Sequence, residues 1–172
     1  MENIQSVLEL FRDRLNGFLT ESLQLTGVAV VLSNLRDADG GQPPMVENRI
    51  VFSLANIEQN INQSVPVRSV PSGGQDARSP PFVSTNLYLL VLANFTGERY
   101  PNGLSLISKV IGFLQDNPIF NRSNLPGLDA AIESLSFEFV NLDAAQWSLY
   151  LEMAGVTYLP AAMYRVRIAP RR

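Results

Sequence analysis

The sequence predicts an α+β domain in which two to three helices pack on a mostly antiparallel sheet. Two observations predict this class. Apolar residues recur every three or four positions in some segments and every second position in others, which are the periods of helices and strands. The two kinds of segment alternate along the chain after an opening pair of strands, as is typical of α+β folds. With 172 residues, the chain is expected to form a single domain over residues 1–172.

The first element is an amphipathic helix, followed by two strands. Seven apolar residues share one helical stripe, namely Ile4, Val7, Leu8, Phe11, Leu15, Phe18 and Leu19. A β-branched run at residues 28–32 predicts a short strand, which ends at a turn rich in Asp, Gly and Pro. Residues 46–57 predict a second strand, because Ile50, Phe52 and Leu54 occupy alternate positions.

A long segment rich in Pro and Gly, at about residues 62–81, interrupts the regular pattern. It exceeds the usual connection in a compact domain, and long loops of this kind are either functional or disordered. Residues 86–95 are apolar at nearly every position, which predicts a central strand that is covered on both faces.

The second half of the chain predicts two more helices and two more strands. A helix through Leu104 and Leu114 is expected to end before Pro118, since the residue before a proline is pushed out of helical geometry. A loop over 117–127 leads to a strand over 132–140. Asp143 and Gln146 have the spacing of a capping box, which predicts a third helix that is closed by Gly155.

The final strand carries a basic side and an apolar side. Tyr164, Val166 and Ile168 alternate with Met163, Arg165 and Arg167, and the strand runs on to Pro170, Arg171 and Arg172. Successive side chains of a strand point to opposite faces of the sheet, so Arg165 and Arg167 are expected to share one face.

The absence of two residue types excludes much catalytic chemistry. The chain contains no His and no Cys, which rules out Ser-His-Asp and Cys-His nucleophiles, thiolate or imidazole metal sites, and disulfides within the chain. A carboxylate pair such as Glu133 and Glu138 remains, but five residues along a strand place the two on opposite faces unless a bulge intervenes. We therefore expect no enzymatic activity, no metal and no cofactor.

Charge and hydropathy argue against nucleic acid and membrane as partners. The net charge of −3 does not suit binding that depends on neutralising phosphates. No apolar run approaches the roughly 20 residues that span a bilayer, and the N-terminus lacks the pattern of a signal peptide. Charged residues form only 17% of the chain, which favours a surface that is partly buried in an assembly. The chain is expected to be made in the cytoplasm.

An ordered set of segments resembles one protein family. The segments are 86–95 (NLYLLVLANF), 107–120 (ISKVIGFLQDNPIF), 132–142 (IESLSFEFVNL), Trp147 with Ser148, and 158–167 (YLPAAMYRVR). Their order and spacing are similar to the cap, or tail-terminator, proteins of extracellular contractile injection systems, which include antifeeding prophages and related virulence cassettes. The resemblance covers nearly the whole chain, although each segment alone is an ordinary apolar pattern.

The resemblance implies a phage tail-terminator-like fold and a structural function. It implies a ring of copies, expected to be six-fold, that sits on the end of the inner tube, stops tube growth and anchors the last layer of sheath. Its partners would be tube and sheath proteins, and it leaves open whether a paralogous cap subunit takes part. The particle would assemble in the cytoplasm and then either stay there or be released. The alternative function is a cytoplasmic protein–protein adaptor that forms no ring.

Two segments of opposite charge are the candidate contact surfaces. Residues 129–152 carry only acidic charges, among them Glu133 and Glu138, whereas the basic segment carries Arg165, Arg167, Arg171 and Arg172. Such patches would orient the contact between one copy and the next; alternatively, they neutralise each other within one subunit. If the last strand lies at a sheet edge, we expect its backbone to accept a strand from a sheath subunit.

Two further candidates lie in the Pro/Gly segment. Arg68 and Arg78 would reach an acidic rim of the tube, or else remain solvent-exposed charges at a loop tip.

Overall fold

The computed structural model describes residues 4–23, 27–60 and 84–171, so the predicted loop at 62–81 lies outside the described residues. The described part contains three α-helices and one six-stranded sheet. The helices are α1 (Ile4–Leu23), α2 (Tyr100–Asp116) and α3 (Ala144–Met153). The strands are β1 (Val30–Leu32), β2 (Arg49–Asn60), β3 (Ser84–Asn94), β4 (Ile119–Phe120), β5 (Ile132–Val140) and β6 (Ala161–Pro170). The predicted α+β class is confirmed.

The sheet has the order β1-β2-β3-β6-β5-β4. Only β1 and β2 are parallel, and the four other neighbouring pairs are antiparallel. The last strand of the chain is therefore inserted in the middle of the sheet, between β3 and β5. The loop predicted over 117–127 was wrong at Ile119 and Phe120, which form β4; a strand of two residues is too short to show an alternating pattern.

Helices α1 and α2 cover one face of the sheet and form the main core with it. At its centre Phe11 is fully buried, and its ring centroid lies 4.2 Å from that of Phe137 on β5 and 5.8 Å from that of Phe52 on β2. Phe120 of β4 stands edge-on to Phe11 at 5.3 Å. Aromatic pairs at these separations bury a large apolar area and so hold α1 across the width of the sheet.

The other face is only partly covered. Helix α3 packs over one end of it, with Trp147, Tyr150 and Leu151 against a smaller buried cluster that includes Leu92 and Met163. The predicted capping box is confirmed: the side chain of Asp143 accepts the backbone N–H of Gln146 at 2.8 Å, and Gln146 Oε1 accepts the N–H of Asp143 at 3.0 Å. Beyond α3 this face carries polar side chains.

The start of the outer edge of β1 is capped by a side chain of α1. Asn16 Oδ1 accepts the backbone N–H groups of Ala29 and Val30, and Asn16 Nδ2 donates to the carbonyl of Val30, each at 2.9 Å. An exposed strand edge invites pairing with another chain, so an amide that binds the N–H and the carbonyl of Val30 protects the start of this edge.

Candidate functional site

The basic strand β6 lies in the interior of the sheet, with β3 on one side and β5 on the other. The condition for accepting a sheath strand, that this strand lies at a sheet edge, is therefore not met, because its backbone groups are already used by two neighbours. Arg165 and Arg167 do share one face, as predicted; it is the face that α3 leaves partly open.

Arg165 pairs with Glu138 within the chain. The two residues are directly opposite each other on β6 and β5, and Arg165 donates from Nε (3.2 Å) and from Nη2 to Glu138 Oε2. This hydrogen bond raises the pKa of the Arg165 guanidinium above its usual value. For these two residues the structure shows the intramolecular neutralisation that the sequence left open.

The ion pair continues across the sheet as a row of polar groups on four strands. Tyr88 on β3 lies opposite Arg165, and its hydroxyl donates to Glu58 Oε2 on β2 at 3.0 Å. Burial raises the pKa of the Tyr88 phenol, and the bond to Glu58 raises it further. The row Glu58, Tyr88, Arg165, Glu138 therefore forms a charged surface in which each carboxylate already has a donor.

Arg167 differs from Arg165 because it has no carboxylate partner in the described residues, where the only ion pairs are Arg12–Asp13 and Arg165–Glu138. Its neighbours across the strands are Asn86 and Ser136. Asn86 is buried, and its Oδ1 has no hydrogen-bond partner among the described residues. Across the strands, Arg167 thus lies beside an amide residue and a hydroxyl residue rather than a carboxylate.

The second carboxylate, Glu133, belongs to a different place. The β5–β6 ladder is irregular between Ile132 and Ser134, and Glu133 lines a surface cavity of about 680 Å³. The other lining residues are Asn121, Arg122, Ser123, Ile132 and Arg171. Since Glu138 is bound to Arg165, the structure does not join Glu133 and Glu138 into one acid–base pair.

The remaining candidates are Arg171, which lines this cavity, and three residues that lie outside the described residues, namely Arg68, Arg78 and Arg172. In the described residues no group of three or more Asp and Glu side chains has an arrangement that would hold a metal ion. None of the described helices is long and apolar enough to cross a membrane.

Sequence reasoning missed two exposed apolar surfaces. Leu149 and Met153, one turn apart on α3, are 57% and 66% exposed, and Leu54, Ile57 and Phe139 are exposed along the sheet edges. The alternation of β2 and β5 suggested that their apolar residues face a core. Tertiary packing determines which part of the sheet the helices cover. The alternation of apolar residues alone therefore could not distinguish covered from uncovered positions.

These features define the class of the protein: an α+β domain with a mostly antiparallel six-stranded sheet, two helices on one face, and a charged surface on the other. The family model of the Pvc16 N-terminal domain matches residues 6–171, so the chain belongs to that family. The family resemblance identified from the sequence is confirmed.

A solved structure has a similar fold over the whole chain. It is the sheath/tube terminator of PVC, an extracellular contractile injection system, determined in its extended state by cryo-EM. The TM-score is 0.61 at 16% sequence identity, and the match covers 100% of this chain and 58% of that one. The chain thus spans somewhat more than half the length of that terminator. No curated protein matches the sequence.

Proposed function

We propose that the chain is a non-catalytic terminator subunit of a contractile, phage-tail-like injection particle. Copies of it form a ring, expected to be six-fold, on the end of the inner tube, where the ring stops tube growth and anchors the last layer of sheath. The main observation in support of this proposal is that residues 6–171 match the Pvc16 N-terminal domain family. The fold shared with the PVC sheath/tube terminator supports it.

The surface chemistry is consistent with such a role. A terminator must contact several neighbours at once, and a heterologous contact in a ring joins two different surfaces of the same subunit. Arg167, Arg122 and Arg171 lack carboxylate partners within the described residues. Because guanidinium groups bind carboxylates in a bidentate, directional manner, these arginines suit contacts with acidic surfaces of the neighbouring copy, the tube or the sheath. Assembly is expected in the cytoplasm.

Electron microscopy of particles from a strain that lacks this gene tests the proposal. We expect tubes of uncontrolled length, with a sheath that is missing or frayed at one end, and recovery when the gene is restored. Normally sheathed particles of uniform length from the deletion strain would contradict the proposed terminator function.

A single substitution then tests the charged face. Arg167→Glu should leave folding intact, since Arg167 has no in-chain ion pair in the described residues, and should reduce recovery of normal particles. Arg165→Glu is less informative, because it places two carboxylates opposite each other and destabilises the fold itself. Lys109→Glu makes the same change of charge at an exposed position of α2 and serves as the control. Normal particles with Arg167→Glu would exclude this face from assembly contacts.

A further inference from the structure

Both edges of the sheet are only partly covered by the chain's own strands. On one side, β1 pairs with β2 from Ile50 to Phe52, whereas β2 continues to Asn60. On the other side, β4 pairs with Leu135 and Ser136, whereas β5 continues to Val140. In the described residues no strand pairs with the outer side of β2 over residues 54–59, or of β5 over residues 138–140. We call these two stretches the open β2 edge and the open β5 edge.

The backbone at both open edges points outward. Ile50 donates its N–H to Ala29 at 2.9 Å, and the carbonyl of Phe52 accepts from Ser33 at 3.0 Å, so both residues direct their backbone away from β3. Phe137 likewise donates to the carbonyl of Pro118 at 2.8 Å, away from β6. Hydrogen-bonding direction alternates along a strand, so Leu54 and Phe139 also present their N–H and C=O groups outward.

The side chains at these edges are apolar and exposed. Leu54, Ile57 and Phe139 are 36%, 50% and 45% exposed. Leu54 lies opposite Leu89, Leu89 opposite Tyr164, and Tyr164 opposite Phe139, so Leu54 and Phe139 lie on the same face of the sheet. Bare apolar edges are normally avoided because they promote association. Asn16 protects the start of β1, whereas no strand of the described residues covers Leu54 or Phe139.

We propose that the open β2 edge of one copy pairs with the open β5 edge of the next, so that the sheet continues from subunit to subunit around the ring. This inference rests on the proposed terminator function and assigns its contact between copies. A cyclic ring needs two different, complementary surfaces on each subunit. On the open β2 edge, Asn56 Oδ1 already accepts the N–H of Ile57 at 2.9 Å. The outward backbone groups of Leu54 and Phe139 pair with no other strand in the described residues, and they supply such a pair of surfaces.

Strand direction and coverage fit this pairing. Each of the three steps from β2 through β3 and β6 to β5 is antiparallel, so β2 and β5 run in opposite directions and would meet as another antiparallel pair. Strand β1 covers only the beginning of β2, and β4 covers only the earlier part of β5. The open stretches therefore meet if the next copy is shifted along the strands by about two to three residues, roughly 7–10 Å. Closed sheets require such a stagger.

Introduced cysteines test the contact directly, because the natural chain has none. The full chain carrying Leu54→Cys with Phe139→Cys, or Ile57→Cys with Phe139→Cys, replaces the native subunit in particles, which are then oxidised. Within one chain these positions are three strand spacings apart, about 14 Å, whereas a disulfide needs Cα atoms within about 7 Å. Any disulfide must therefore join two copies.

We expect at least one of the two pairs to give a ladder of covalent oligomers on a non-reducing gel, extending to the full ring. The single variants should give none, because a ring contact never places one residue beside itself. Leu149→Cys with Phe139→Cys is the matched control and should give none either.

A ring seen by native mass spectrometry, with no ladder from either pair, would overturn the edge contact and leave the terminator function standing. A chain that stays monomeric, together with normal particles from the deletion strain, would instead overturn the proposed function.

A charge exchange adds an independent measurement. Leu54→Lys and Phe139→Glu should each lower the fraction of chain found in rings, and the double variant should restore it. If Leu54→Lys impairs assembly and Phe139→Glu gives no rescue, the open β2 edge accepts a strand from a different protein, and the proposal is wrong.

Discussion

Replacing Asn16 by Ala should destabilise the protein through the edge of the sheet rather than through α1. Its side chain makes three hydrogen bonds of 2.9 Å to the backbone of Ala29 and Val30. The substitution leaves two N–H groups and one carbonyl without protein partners at a half-buried position. Groups left unsatisfied in this way cost about 1–3 kcal/mol each when fully buried. Water can replace part of what is lost here, so we expect a total of about 2–3 kcal/mol.

Urea unfolding followed by circular dichroism measures this difference. Thr20→Ala, at an exposed position of the same helix, is the control, because it includes the gain in helix propensity that any change to Ala brings. In a chain of this length about 2–3 kcal/mol corresponds to a loss of roughly 5–10 °C in melting temperature. If Asn16→Ala and Thr20→Ala differ by less than about 0.5 kcal/mol, a difference typical of surface substitutions, the edge is not held as described.

Three further sets of substitutions test other parts of the fold. Gly103→Ala should destabilise by about 1–3 kcal/mol, because its Cβ would lie 2.8 Å from Phe95 Cβ; Gly112→Ala on the same helix meets nothing within 4 Å and should stabilise by about 0.5–1 kcal/mol. Equal effects of the two would contradict this packing. Asp143→Ala should cost about 1 kcal/mol through the lost cap, whereas Asp143→Asn, which keeps an acceptor, should cost less; equal losses in urea unfolding would argue against the cap. Burial raises the pKa of the Tyr164 phenol to about 12, so its contribution to stability is present below about pH 10 and is lost as the pH rises towards 12. Tyr164→Phe should lack this alkaline loss. It should be at least as stable as the natural protein at pH 7, because the Tyr164 hydroxyl is buried without a partner in the described residues. Melting temperatures of both proteins at pH 7 and pH 11 test this, and an equal loss in both between the two pH values would refute the role given to Tyr164.

Local sequence patterns predicted most of the helices and strands. They could not predict which strands are neighbours in the sheet, because pairing between distant segments determines that order. The capping box at Asp143 and the strand over 132–140 depend on neighbours within a few residues, so the sequence alone sufficed. The place of β6 depends on pairing with β3, some 80 residues earlier, and no local pattern encodes it. Strand addition at β6, which depended on an edge position, therefore does not apply, whereas the predicted shared face of Arg165 and Arg167 was correct.

The candidate contact surfaces show the same division. The acidic and basic segments were visible as composition, and the structure joins Arg165 to Glu138 while leaving Arg167 unpaired in the described residues. The open edges at Leu54 and Phe139 could not be found from sequence, because they are defined by where β1 and β4 stop. Asn16 was also inconspicuous, since a single Asn on a helix has a role only once the edge of β1 is known to lie beside it.

The most direct test of the terminator function is to locate and count the chain in intact particles. Cryo-EM of purified particles, with a tag on this chain, should show one ring at a single end of the inner tube, in contact with the last layer of sheath. Six copies per particle are expected. A chain that is spread along the tube, or absent from purified particles, would contradict the account.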